Sequence, residues 1–149
     1  MPSFVLPVLA DAWRAYPHTF GVKASEGKWL CPPWLKVTGR MIGDRVRAGG
    51  ARIMLWAPTR HGKSKLVSHW TPVWFLDTWP EKFVVITSYG AALASGTFGA
   101  DTRNEFERNP LVRPKLAQDS KSKTLWKTKQ GGGLIAAGIG GPIEGRGFH

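Results

Sequence analysis

The apolar positions between residues 33 and 48 recur at helical spacing. They are Leu35, Val37, Met41, Ile42 and Val46. Pro33 suits a first helical turn, and Gly49 with Gly50 suits a stop, so the pattern predicts a helix between them. Residues 1–33 are interrupted by prolines. We expect them to form a lead-in arm with a short helix near residues 9–16, and not a separate domain.

Two short apolar runs are typical of buried strands. The first, "ARIMLWAP" at residues 51–58, ends in a proline, and the second, "KFVVITSYG", covers residues 82–90. Between them we predict a helix that bends or ends near Pro72, because a proline ring clashes with the preceding turn. A further helix is expected to end at Pro110. This order of helices and strands predicts an α/β layered fold with parallel pairing and right-handed crossovers.

The last part of the chain has a different pattern. In "TLWKTKQGGGLIAAGIGG", residues 124–141, two strand-like runs flank a glutamine and three glycines. Glycine-rich connections of this length are typical of tight strand pairs. The pattern therefore predicts a hairpin or an added edge strand.

The composition is that of a globular protein with a strong positive charge. The 149 residues are 42 % hydrophobic, and 21 Lys and Arg against 10 Asp and Glu give a net charge of +11. Such a charge favours polyanionic partners, or else serves solubility alone. Cys31 is the only cysteine, which excludes an intramolecular disulfide and a C-x-x-C site. Without a signal sequence or a membrane-length apolar run, we expect a cytoplasmic protein and no membrane partner.

The candidate chemistry lies in "APTRHGKS", residues 57–64. The nucleotide-binding P-loop has the pattern G-x-x-x-x-G-K-[ST] between a strand and a helix, the same setting as here. In that mechanism Gly62 permits close backbone approach, Lys63 reaches the β and γ phosphates, and the Ser64 hydroxyl ligates Mg²⁺. Ala57 replaces the first glycine, which is tolerable if its dihedral angles suit a residue with a Cβ. The alternative is an ordinary strand-to-helix turn.

Two other loop residues have open roles. Arg60 is either a second cation for the γ-phosphate or an arginine that faces solvent, and His61 is either catalytic or a loop filler. Pro58 and Thr59 complete the candidate nucleotide-binding loop.

The loop and the segments around it resemble a known family. "APTRHGKSKLVSHWTPVWFLDTWPEKFVVITSYGAALA" and "GGGLIAAGIGGPIEGRG" are similar to the N-terminal ATPase region of large terminase subunits, the DNA-packaging motors of tailed bacteriophages. The similarity covers residues 34–147. It implies a P-loop NTPase-type fold of the additional-strand class, incomplete at the C-terminus, with residues 1–33 as the arm and residues 34–149 as the N-terminal part of the ATPase domain.

The resemblance also implies ligands and partners. These are ATP with Mg²⁺, double-stranded DNA, a portal protein, a small terminase subunit, and a homo-oligomeric ring in the host cytoplasm. Arg60, Gly62, Lys63 and Ser64 match the family's deviant Walker A loop. Trp34 lies where the family lines its adenine pocket, or else anchors the first helix, and Arg146 is a candidate arginine finger or a surface arginine without a role.

One requirement of ATP hydrolysis has no counterpart in the sequence. A P-loop hydrolase needs acidic residues at the end of an apolar strand, and none of the three strand-like runs RIMLW, FVVIT and LIAAGIGG ends in a pair of acids. The family places that strand after His149, so we expect the front half of a motor domain that binds ATP weakly and does not hydrolyse it alone. We also expect an exposed apolar edge next to residues 51–58, with association or instability as the result.

A second basic region lies between residues 113 and 129. It contains Arg113, Lys115, Lys121, Lys123, Lys127 and Lys129. Lys123, Lys127 and Lys129 share strand parity, so they either contact phosphates on one face or protect an edge strand from pairing. Three functions remain open: a packaging-ATPase fragment, a non-enzymatic nucleic-acid-binding module that uses the charge and the eight tryptophans, and a small P-loop kinase.

Overall fold

A computed structural model describes residues 11–120 and 122–139 of the chain. The described residues divide into two compact units, one up to Trp74 and one from Phe75 onward. The first unit contains the candidate loop, and the second contains a sheet. No helix in the described ranges has both the length and the apolar character needed to cross a bilayer.

The first unit is helical. A 3₁₀ turn at Ala12–Ala15 precedes helix α1 (Pro17–Ala24), and helix α2 (Pro33–Ala48) follows. Helix α2 confirms the prediction from the apolar spacing. It begins with a proline and ends at Gly49, whose φ of +79° is a conformation open to glycine.

Glycines on α2 let the lead-in residues pack closely against it. A Cβ at Gly39 would lie 2.5 Å from the His18 Nδ1 atom, and a Cβ at Gly43 would lie 2.6 Å from the Tyr16 ring. The Trp74 indole N–H donates to the Arg14 carbonyl at 2.8 Å. Residues 14–18 are therefore part of the packed structure of this unit.

The predicted strand at residues 51–58 is wrong. None of these residues belongs to a strand, and Met54 and Trp56 are 74 % and 82 % exposed. A strand exists only by pairing, and within the described part of the chain the backbone N–H groups of residues 51–57 find no acceptor. The segment is apolar and, in the described part of the chain, has no neighbouring strand.

The next helix does not end at Pro72, one of the two outcomes predicted for it. A π-helix (Lys65–Trp70) runs directly into helix α3 (Thr71–Thr78), and the Thr71 N–H donates to the Leu66 carbonyl five residues back. The wider π turn accommodates the proline ring, which a regular turn would not.

The second unit is built on a three-stranded mixed sheet. Its strands are β1 (Phe83–Ser88), β2 (Leu125–Lys127) and β3 (Gly133–Gly138), in the order β1-β3-β2. β1 and β3 are parallel, with Val85 opposite Ile135, and β2 and β3 are antiparallel, with Trp126 opposite Leu134. The strand at residues 82–90 and the hairpin are therefore confirmed, and the fold is mixed α/β.

Helices connect β1 with the hairpin. A short helix α4 (Ala91–Leu93) leads into a π-helix (Ala94–Gly99) and helix α5 (Ala100–Arg108). α5 packs its Phe106 ring against Trp126 of β2, with ring centroids 4.9 Å apart. All six residues of β3 are buried, so the middle strand forms the core of this unit.

A candidate phosphate-binding loop

The backbone of the candidate loop alternates in handedness. Arg60 has φ +61° and Gly62 has φ +82°, whereas Thr59 and His61 keep negative φ. Successive residues of opposite handedness turn their N–H groups toward one side, and such a concave arrangement of amides binds anions. Residues 59–62 meet the alternation in the sign of φ that such a nest requires, and we refer to them as the nest.

The alanine at the loop entrance does not disturb this geometry. Ala57 has no positive φ, so its Cβ causes no strain, as the sequence analysis required. Its carbonyl oxygen accepts a hydrogen bond from the Lys63 ammonium group, with Nζ 3.3 Å away. Lys63 thus folds back across the loop, from its last residues to its first.

Three contacts hold the loop in place. The Leu66 N–H donates to the Gly62 carbonyl at 3.1 Å, which starts the helical segment directly after the loop. The Leu35 side chain lies so close to Gly62 that a Cβ there would come within 2.9 Å of it. His61 Nδ1 lies 2.7 Å from the Thr59 carbonyl, so the protonated Nδ1 would close the turn.

The polar groups of the loop are accessible to a ligand. Thr59, Arg60, His61 and Ser64 are exposed, and Lys63 is half-buried. Ser64 precedes the π-helix, yet its hydroxyl makes no capping hydrogen bond there. An anion could therefore meet the nest amides, a guanidinium, an ammonium and a hydroxyl from solvent.

Trp34 belongs to the core beneath the loop. It is half-buried and packs on the cluster of Leu35, Ile42 and Leu66. It is the second residue of α2. This position fits the anchoring role, and it puts Trp34 next to the leucine that contacts Gly62. The other distant candidate, Arg146, lies outside the described residues.

The fit to phosphate and the fit to a metal ion differ. The nest supplies amides for phosphate oxygens, but Ser64 supplies a single hydroxyl for Mg²⁺. In the described ranges no three His, Cys, Asp or Glu side chains are grouped so that they could hold a metal ion. A metal ion at this loop would therefore depend on the nucleotide for most of its ligands.

Two features of this part of the chain had no signal in the sequence. A left-handed arginine is uncommon, so the spacing of glycines did not reveal the nest. His18 is 7 % exposed, and burial together with the charges of Arg40 and Lys36 lowers its pKa from the ordinary value of 6.5. Its burial depends on α1 packing on α2, which no local pattern encodes.

Comparison with known proteins gave no relative for this chain. No protein-family model, no curated protein and no solved structure matches it.

Proposed function

We propose that residues 57–64 bind the phosphate tail of ATP together with Mg²⁺, and that the chain is the ATP-binding part of a terminase large subunit. In that role it would belong to the motor that packages double-stranded viral DNA into procapsids. The observation that carries the proposal is the alternating φ of residues 59–62 together with the hydrogen bond from the Lys63 ammonium group to the Ala57 carbonyl at the loop entrance. Amides, a cation and a hydroxyl within one eight-residue loop are what a triphosphate requires.

The finer fold belongs to the same proposal. In a P-loop ATPase of the additional-strand class, residues 51–56 would be the strand that leads into the loop. Their mostly exposed side chains, and backbone N–H groups without an acceptor in the described part of the chain, suit a strand that would pair with a neighbour. The acidic residues needed for hydrolysis would come with that neighbour, so we expect this chain alone to bind ATP without appreciable turnover.

The proposal is tested by removal of the ammonium group. Hydrogen bonds to charged groups contribute about 1.5–3 kcal/mol, so Lys63→Ala should weaken ATP binding about 10- to 100-fold in a titration with a fluorescent ATP analogue. Lys28→Ala is the control, because Lys28 is 82 % exposed and lies outside the loop. Equal affinities of the two variants would remove the basis for the motor assignment.

A second function is favoured by the exposed lysines of the second unit. In this alternative the chain is a non-enzymatic nucleic-acid-binding module, and the loop is only a turn. Lys63→Ala would then leave both ATP and DNA titrations unchanged, whereas the first proposal requires the loss of ATP binding.

A further inference from the structure

Three lysines converge on one face of the second unit. Residues 115–117 pair with residues 127–129 on the outer side of β2: the Ala117 N–H donates to the Lys127 carbonyl, and the Lys129 N–H to the Lys115 carbonyl, both at 2.9 Å. The bridge between Leu116 and Thr128 is antiparallel. Lys115 is therefore directly opposite Lys129, and Lys127 lies two residues away with the same parity. We call Lys115, Lys127 and Lys129 the lysine face.

Repulsion between these lysines lowers the free energy of unfolding of the isolated protein. Like charges directly opposite each other destabilise a sheet. All three lysines are exposed, and within residues 11–120 and 122–139 none of them forms an ion pair with a carboxylate. Among the described residues, no carboxylate therefore offsets the repulsion between them.

The backbone beneath the lysine face is rigidly held. The residues that alternate with the lysines are buried, with Trp126 at 0 % and Thr128 at 2 % exposure. The Lys127 N–H donates to the Ser120 hydroxyl at 2.8 Å, and the Thr128 hydroxyl donates to the Pro80 carbonyl at 2.5 Å. The backbone that carries the three lysines is therefore held in place before any ligand binds, so only the side chains lose freedom on binding.

Protection of an edge strand does not account for these lysines. Lysines do discourage pairing at a free edge. Here the edge at residues 127–129 is already covered by residues 115–117. Arg113, the nearest further cation in sequence, has a structural partner, because its guanidinium lies 3.2 Å from the buried Asp77 carboxylate.

We propose that the lysine face binds the phosphate backbone of double-stranded DNA. The identity of the nucleic acid rests on the proposed function, but the location of the site does not. Proteins that bind single strands stack bases on exposed aromatic rings. On this strand the aromatic residue, Trp126, is buried and the exposed positions carry ammonium groups, so the face suits a duplex whose bases are hidden.

The test measures how salt weakens binding of the full chain to a duplex of arbitrary sequence, by fluorescence anisotropy. The measured quantity is the slope of log affinity against log salt concentration. Each lost phosphate contact reduces the magnitude of this slope by about 0.9, so a triple Lys→Gln variant of the lysine face should reduce it by about 2.7. Over a fourfold rise in salt this is a difference of about 40-fold in affinity. The control triple Lys23→Gln, Lys28→Gln, Arg108→Gln removes the same charge from other exposed positions.

The outcomes separate this inference from the proposed function. It is supported if the lysine-face triple loses most of the salt dependence, the control triple keeps it, and a triple Lys→Arg variant restores it. Equal loss in both triples, or tighter binding of a single strand of the same length, overturns it. Thermal unfolding should show the Lys→Gln triple to be at least as stable as the parent, and its ATP binding should not change. Loss of ATP binding in Lys63→Ala without any effect of the lysine-face triple on DNA would overturn this inference and leave the ATP site standing.

Discussion

At the scale of single residues, the candidate site depends on backbone conformation more than on side-chain identity. A left-handed residue with a Cβ costs about 1–2 kcal/mol, and Arg60 bears this cost at φ +61°. Gly62, at φ +82°, avoids it. The packing of Leu35 on Gly62 helps to hold the loop in this conformation.

Gly62→Ala should therefore weaken both the fold and the site. The new Cβ meets a positive φ and the Leu35 methyl group at 2.9 Å, so we expect a loss of about 1–2 kcal/mol in urea unfolding and weaker ATP binding. Gly27→Ala is the matched control, since Gly27 has φ +76° with nothing within 4 Å. It should lose similar stability and keep its ATP affinity. Unchanged ATP binding in Gly62→Ala would show that the nest is not the site.

His18 should make stability depend on pH. Burial, then Arg40 and Lys36, lower its pKa from 6.5, so the folded state resists a proton that the unfolded state accepts. Stability should therefore be fully present above the unfolded pKa and should fall as the pH drops below it, down to the lower folded pKa. Urea unfolding at a series of pH values measures this slope. His18→Gln should flatten it, and an unchanged slope in that variant would assign the effect to other groups.

At the scale of helices and strands, the sequence predicted what local signals determine. The apolar spacing with Pro33 and Gly49 located α2, and the glycines after Gln130 located the hairpin. The prediction of a strand at residues 51–58 was wrong because a strand needs a pairing partner, and the local sequence does not show whether one is present. Pro72 does not end its helix, because the π turn before it makes room for the proline ring. The loop residues were found by spacing, but their handedness was not.

The link between α3 and residue 113 is another contact that spacing could not show. Asp77 is 3 % exposed, and its Oδ1 accepts from the Arg113 N–H at 2.8 Å. Asp77→Ala leaves that N–H without its acceptor, which should cost about 1–3 kcal/mol in chemical unfolding. Asp119→Ala removes an exposed carboxylate and should stay within about 0.5 kcal/mol of the parent. Similar losses in the two variants would contradict the structural role of Asp77.

At the scale of the whole molecule, the net charge of +11 has two separable consequences. Self-repulsion destabilises a compact state, and any salt screens it. A phosphate site adds stabilisation only for the ions that bind it, by mass action on the folded state. Thermal stability measured in different salts at the same ionic strength therefore separates general charge screening from binding of an anion at the loop.

Sodium tripolyphosphate should raise the thermal unfolding temperature more than sodium chloride does at equal ionic strength. At a concentration of about 100 times its dissociation constant, a bound ion contributes about 2.7 kcal/mol. Because the lysine face also attracts polyphosphate, the decisive comparison is between variants. Lys63→Ala should lose the part of the shift that comes from the loop, whereas the lysine-face Lys→Gln triple should keep that part. A shift that survives in Lys63→Ala but disappears in the triple would place the bound polyphosphate on the second unit, and the loop would then be a turn without a ligand.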